Sequence, residues 1–233
     1  MNLKSKFYSL ILANVFTISL CTCQTPHTKE SSLQKLEARW YNTHGFPGIE
    51  SIGVTPHDLE FDIAFSKVDG DTVQVKNCLE VAYLGQDKIA ESEFARWELL
   101  KADCEAANRF YAAPEVAINY WPTTFDFPLV KSFPATAVPY LGGQSLDGRT
   151  GNLGEHEPKL TLLESNDHSV KISVEDMVVN YVVVAKADFN RDGYQDIFVR
   201  LDWYIESSFG DGFDWVVLTK TSSDTTPLML WRK

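Results

Sequence analysis

The chain has 233 residues, 44% of them hydrophobic and 23% charged, enough for one large domain or two small ones and globular rather than disordered. Its 21 basic residues stand against 32 acidic ones, a formal net charge of −11. A chain so acidic, with no run of basic residues to neutralise phosphates, argues against nucleic-acid binding and against docking on anionic lipid, and four cysteines are too few for a disulfide-rich miniprotein.

At the N-terminus, Lys4 and Lys6 precede an uncharged, mostly apolar run from Phe7 to Leu20, followed by Cys21-Thr22-Cys23. A short basic region, an apolar stretch of roughly 7–15 residues and a small-residue exit is the pattern of a secretory signal peptide. The run falls short of the about 20 apolar residues that a membrane span requires. The expected organisation is a signal peptide over 1–22, a polar tether over 23–31 and a single α+β domain over 32–233, of which 159–233 is a β-meander. Leu20-Cys21-Thr22-Cys23 resembles the lipobox of bacterial lipoproteins, with Thr22 where that pattern usually has Gly, Ala or Ser. The resemblance implies acylation of Cys23. With Gln24 rather than Asp after it, it implies an outer-membrane lipoprotein facing the periplasm or the cell surface. Cleavage before Gln24 would instead give a soluble periplasmic protein. Either way Cys78 and Cys104 remain as an even pair, expected in an oxidising compartment to form a disulfide that clips a helix to the sheet.

Further along, Leu33, Leu36 and Trp40 lie at helical spacing behind Ser31 or Ser32 as a cap, which predicts a short helix over 31–41. Leu59, Phe61, Ile63 and Phe65 alternate with Asp58, Glu60 and Asp62, predicting a strand with a solvated acidic face. Asp69-Gly70 then turns it back into Thr72–Val75. The strongest helical pattern runs from Asp87 to Ala113, where Phe94, Trp97, Leu100, Cys104, Ala107 and Tyr111 trace one stripe. Asp103 borders that stripe and is expected to meet solvent; Pro114 ends the helix, and Cys78 precedes it in a strand-like run. Residues 122–158 are rich in Pro and Gly and too long for an idle connector, so they read as a functional loop, a lid or an ordered coil over the core. From Lys159 the chain is a series of β runs: Leu160–Leu163, Val170–Val174, Met177–Ala185, Ile197–Ile205, Trp215–Thr219 and Leu228–Trp231. The expected fold is α+β, with an N-terminal helix and mixed region, one long central helix and a C-terminal antiparallel meander.

Between two of those runs stands Asp188-Phe-Asn190-Arg-Asp192-Gly193-Tyr194-Gln-Asp196. Side-chain oxygens fall at positions one, three, five and nine. Gly193 permits a sharp turn, and Tyr194 can offer its backbone carbonyl. Calcium is a hard cation that takes six to eight oxygens, which such a loop can converge. An EF-hand also needs a Glu at position twelve, which here is Val199, and both flanks are β-like, so this is not a helix–loop–helix. The loop closely resembles the calcium loops of FG-GAP and VCBS-type repeats, which connect two strands of a propeller blade. That resemblance implies calcium held by Asp188, Asn190, Asp192 and Asp196. The motif occurs once, whereas propellers need several copies; a lone metal-clipped hairpin is the expectation, and a polar hairpin holding no ion the alternative.

Catalytic patterns are missing from the sequence. There is no His-Glu-x-x-His and no Cys-x-x-Cys after residue 23, and Gly143-Gln-Ser145-Leu-Asp147 departs from the Gly-x-Ser-x-Gly elbow at its last residue. His156, between Glu155 and Glu157, reads as a solvated loop histidine, and Asp202, Glu206, Asp211 and Asp214 as a solvated rim. The expected function is that of an exported, lipid-anchored calcium-binding envelope protein with a non-catalytic binding or structural role. Its partner would be a protein or glycan at the envelope, and it would touch the membrane only through its anchor. A secreted hydrolase using acidic residues and an inhibitor of another enzyme are the two alternatives. Exposed aromatics such as Trp203 or Trp215 would mark a binding face.

Overall fold

The computed structural model describes residues 34–42, 58–141, 146 and 148–233. The signal peptide, the tether and Cys23 lie outside the described residues, as do Gly143, Ser145 and Asp147. In chain order the strands and helices are β1 (Lys35–Glu37), β2 (Arg39–Trp40), β3 (Ile63–Ser66), β4 (Thr72–Val75), α1 (Cys78–Tyr83), α2 (Phe94–Ala112), β5 (Val116–Ile118), α3 (Phe127–Lys131), α4 (Leu153–His156), β6 (Thr161–Ser165), β7 (Ser169–Val174), β8 (Met177–Ala187), β9 (Asp196–Ile205), β10 (Asp211–Thr219) and β11 (Leu228–Arg232). Leu33–Lys233 forms one compact unit. This is the α+β chain that the sequence predicts, with its C-terminal antiparallel meander. No described helix is long and apolar enough to cross a membrane.

The meander follows the chain: β6 to β11 lie side by side in sequence order, every pair antiparallel. Its central strands are continuously apolar rather than alternating because both faces of the sheet are covered. On one face Val184, Ala185, Phe198, Trp215 and Val217 pack with Trp97, Leu100 and Cys104 of α2 and with Phe65 and Val75 of the β3–β4 hairpin. On the other, Tyr181, Val183, Ile197, Val199, Leu201 and Val216 meet Trp121, Phe125, Leu129, Val130, Phe133 and Leu153. The described residues of 122–158 are thus an ordered coil over the core, the third of the alternatives read from sequence. The Tyr181 hydroxyl donates to the Ala137 carbonyl at 2.8 Å and ties the coil to the sheet. Asp126 caps α3, accepting the Leu129 N–H at 2.9 Å. Asn152 and Glu155 form a capping box on α4, and His156 lies in that helix, not in a loop.

A bulge between Val183 and Ala185 lets the consecutive Val184 and Ala185 both join the helix-side core. It also frees the Val184 carbonyl to accept the N–H groups of Tyr41 and Asn42 at 2.8 and 3.2 Å. This is where β2 docks, pairing Arg39 with Lys186 and Trp40 with Ala185. The helix predicted over 31–41 is therefore absent from its described part. Leu36, Ala38 and Trp40 also fit a period of two, and available partners decide the matter: β1 pairs with β5, Leu36 opposite Ala117, and Trp40 is buried.

Further expectations need correction. The strand predicted from Leu59 begins only at Ile63, although the Phe61 N–H still reaches the Lys76 carbonyl at 2.7 Å. Helix α2 starts at Phe94, not Asp87, because buried Ile89 must run extended to bridge Lys67; one-turn 3-10 helices flank it at Gln86–Lys88 and Glu91–Glu93. Cys78 opens α1 instead of lying in a strand-like run. Asn77 caps that helix, accepting the Glu80 N–H at 2.9 Å. The expected disulfide between Cys78 and Cys104 is present, with Cα atoms 5.4 Å apart, but it joins α1 to α2 rather than a helix to the sheet. On the α2 stripe the expectations for two residues are reversed: Asp103 is buried and Tyr111 is 51% exposed.

Candidate metal centre

Asp188 to Asp196 connects β8 to β9, and all five predicted calcium ligands fall in this one loop. Two residues take left-handed backbone conformations, Arg191 at φ 62 and Gly193 at φ 90. Glycine adopts this region without strain, whereas arginine must be held there. The Arg191 guanidinium supplies the hold: Nη2 donates to the carbonyl of Ala112, the last residue of α2, at 2.6 Å. It thereby satisfies a carbonyl that the helix end would otherwise leave open.

The side-chain oxygens face inward over the loop's own amides. Buried Asp188 accepts the N–H of Asp192 at 3.0 Å through Oδ1 and that of Gly193 at 2.8 Å through Oδ2. Asp192 Oδ1 accepts the Tyr194 N–H at 2.9 Å, and its Oδ2 accepts Asn190 Nδ2 at 2.8 Å. The Asn190 carbonyl oxygen in turn accepts the Asp192 N–H at 3.1 Å. Asp196 Oδ2 accepts the Phe189 N–H at 2.9 Å. Its Oδ1 is buried and meets no hydrogen-bond partner, and the same is true of Thr219 Oγ1 on β10. Burial pushes the Asp196 carboxyl up to about 7; the Thr219 hydroxyl and the Phe189 N–H pull the other way, while the charges of Asp192 and Asp188 add to the rise. Thr219 lies close enough to Asp196 to favour its charged form, yet the pair lacks the geometry of a hydrogen bond.

The outer side of the loop is braced by the end of β5 and the chain just after it. Ile118 donates its N–H to the Gly193 carbonyl at 2.9 Å and accepts that of Gln195 at 2.8 Å. The Trp121 indole donates to the Gln195 carbonyl, and the rings of Tyr120 and Tyr194 stand 5.8 Å apart. These supports, with Thr219 and the Ala112 carbonyl that holds Arg191, were not apparent in the sequence, because they come to the loop from distant segments.

Among the described residues, no group of three or more His, Cys, Asp or Glu is arranged to hold a metal ion. In this geometry the carboxylates of Asp188 and Asp192 are turned onto backbone N–H groups. The donor chemistry nonetheless fits a hard cation: every side-chain donor is an oxygen, and a buried carboxylate oxygen without a partner sits at the ninth position.

The acids read as a rim differ from one another. Asp214 is buried, not solvated: it accepts Arg232 Nη2 at 3.0 Å, Trp203 Nε1 at 3.1 Å and the Tyr140 N–H at 3.2 Å. Asp202 takes two bonds from Arg200, at 2.6 and 2.9 Å. Trp215 is core, and Trp203 is half-buried, so neither indole is a freely exposed binding aromatic. Compared with known proteins, the chain matches no family model, no curated protein and no solved structure.

Proposed function

We propose that the protein is an exported, calcium-binding component of the bacterial cell envelope, anchored through a lipid on Cys23, with a non-catalytic binding or structural role toward an envelope protein or glycan. Asp188, Asn190, Asp192 and Asp196, with the Tyr194 carbonyl, would hold the ion. Its charge would offset the three carboxylates that binding would draw together at one hairpin tip. The observation that carries the calcium reading is Asp196 Oδ1, a buried carboxylate oxygen with no hydrogen-bond donor, which is costly unless a cation meets it. The Cys78–Cys104 disulfide supports export, since such bonds persist in oxidising compartments.

Calorimetric titration of metal-stripped protein tests the reading. Calcium is expected to bind with a dissociation constant of about 0.1–1 mM, the range of extracellular modules, and magnesium poorly, since it demands a tighter octahedral shell. At calcium a hundredfold above that constant the fold gains about 2.7 kcal/mol, seen as a rise in melting temperature. Asp192→Ala is expected to remove most of that rise and to leave the metal-free protein nearly as stable. Absence of both heat and thermal shift at millimolar calcium overturns the calcium reading.

A further inference from the structure

A second site forms where β2, the end of β8 and the β6–β7 turn meet. Arg39 and Lys186 are direct partners across the β2–β8 pair, an arrangement in which like charges repel. Both side chains reach the ring of Tyr41, Arg39 Cζ at 5.1 Å and Lys186 Nζ at 5.9 Å from its centre. His168 packs against the same ring at a tilt of 50°, with centroids 4.9 Å apart. Its turn is fixed by Asn166, whose Oδ1 accepts the N–H groups of His168 and Ser169, each at 2.9 Å. Two cations and an imidazole thus surround one aromatic ring.

None of the three has a counter-charge among the described residues. Among the described residues no carboxylate forms an ion pair with Arg39, Lys186 or His168, although acids outnumber bases 32 to 21 in the chain. The cluster opens on two adjoining cavities, of about 940 and 400 Å³, and Arg39, Tyr41, Thr123, His168 and Lys186 line both. Asn119 and Gln195 also line the larger one, their amides engaged with the Trp121 backbone and the Glu37 carbonyl. Acids also reach the walls: Glu37 in the larger cavity, Asp126 and Asp167 in the smaller. Asp126 is engaged by the Leu129 N–H as the α3 cap, and Glu37 and Asp167 are exposed.

We propose that Arg39, Lys186 and His168 form an oxyanion site around Tyr41, taking the carboxylate or phosphate of a small molecule whose body lies in the larger cavity. A guanidinium fork beside an ammonium suits either group. The cavity is of the size that holds a small organic ligand rather than a bare ion. Three bases on a chain of net charge −11 cannot neutralise a polyphosphate strand or a charged bilayer, so the ligand is small. The inference does not rest on the calcium reading.

The test is thermal shift and calorimetric titration of the full chain in calcium-free buffer, with inorganic phosphate and with succinate, against chloride at equal ionic strength. A saturable shift with at least one oxyanion beyond the chloride control is expected. Phosphate alone would assign phosphate esters, and succinate alone carboxylic acids. Lys186→Met is expected to leave the unliganded melting temperature unchanged or higher, because a like charge is gone, and to weaken binding about tenfold or more, the loss of one charge-assisted hydrogen bond. Arg39→Gln, at an exposed position, is expected to weaken binding similarly and provides the answer should the Lys186 variant fold poorly. No saturable binding of either oxyanion beyond chloride, or undiminished affinity in both variants, overturns the proposal.

Discussion

Asp103 lies on α2 with 6% of its surface exposed, accepting Asn42 Nδ2 at 3.0 Å. Burial pushes its carboxyl up to about 6; Arg200 pulls it down, Asp202 adds to the rise, and the Asn42 bond lowers it. The fold therefore prefers the protonated acid, whose unfolded value is 3.8. Its contribution to stability is fully present below about pH 4 and is lost as the pH rises through about 6, a difference of about 3 kcal/mol at most. Asp103→Asn keeps an acceptor for Asn42 and removes the buried charge. It is expected to stabilise the protein at pH 7 by about 1–3 kcal/mol and to flatten the pH dependence of urea unfolding between pH 4 and 6. Parallel pH profiles for the two proteins would rule this out. The sequence showed Asp103 beside the α2 stripe but not its burial, because its partner Asn42 and the charge of Arg200 come from distant parts of the chain.

At the scale of elements, the runs that became β6 to β11 were legible because each carries apolar or β-branched residues and is bounded by turn residues, and the central ones, β8 to β10, are long and apolar. The segment 35–40 was not, because six residues fit a period of two as well as one of 3.6, and only pairing with β5 and β8 distinguishes them. Helix α1 was missed although Asn77 and Glu80 stand at capping spacing, since six residues leave too little periodicity to see. The Cys78–Cys104 pairing was legible from cysteine parity and the expected oxidising compartment, but not that it joins two helices. Closing a loop of 26 residues, it is expected to contribute roughly 3 kcal/mol in the chain-entropy model. Reduction should lower the denaturant midpoint accordingly, and thiol counting on denatured, unreduced protein should find neither Cys78 nor Cys104 free. Two alkylatable thiols at those positions would contradict the pairing.

At the scale of the whole molecule, the proposed anchor belongs to the N-terminal region and the two candidate sites to the sheet. Cys23→Ser is expected to move the protein from the membrane fraction to the soluble one. If wild type and variant are both wholly soluble, the lipid anchor is wrong. The proposed calcium ligands could be read from sequence because nine contiguous residues contain them all. The basic cluster could not: Arg39, His168 and Lys186 are far apart in the chain, and only the docking of β2 beside β7 on the flank of β8 assembles them.

That docking also orders events in time. Neighbouring strands of the meander are joined by short connections, so their pairings are local and close early in folding. The β2–β8 pair joins segments far apart in the chain and rests on two register positions, Arg39 with Lys186 and Trp40 with Ala185. It is expected to form late and to open first in brief sub-global excursions of the native state. Native-state hydrogen exchange should then show the amides of Tyr41 and Asn42, bonded to the Val184 carbonyl, exchanging well before those in the middle of β8 and β9; equal protection would refute that order. The strand carrying Arg39 is thus the least secured part of the sheet, and an anion bridging it to β8 would slow its release, so occupancy could be read directly as exchange protection at two backbone positions.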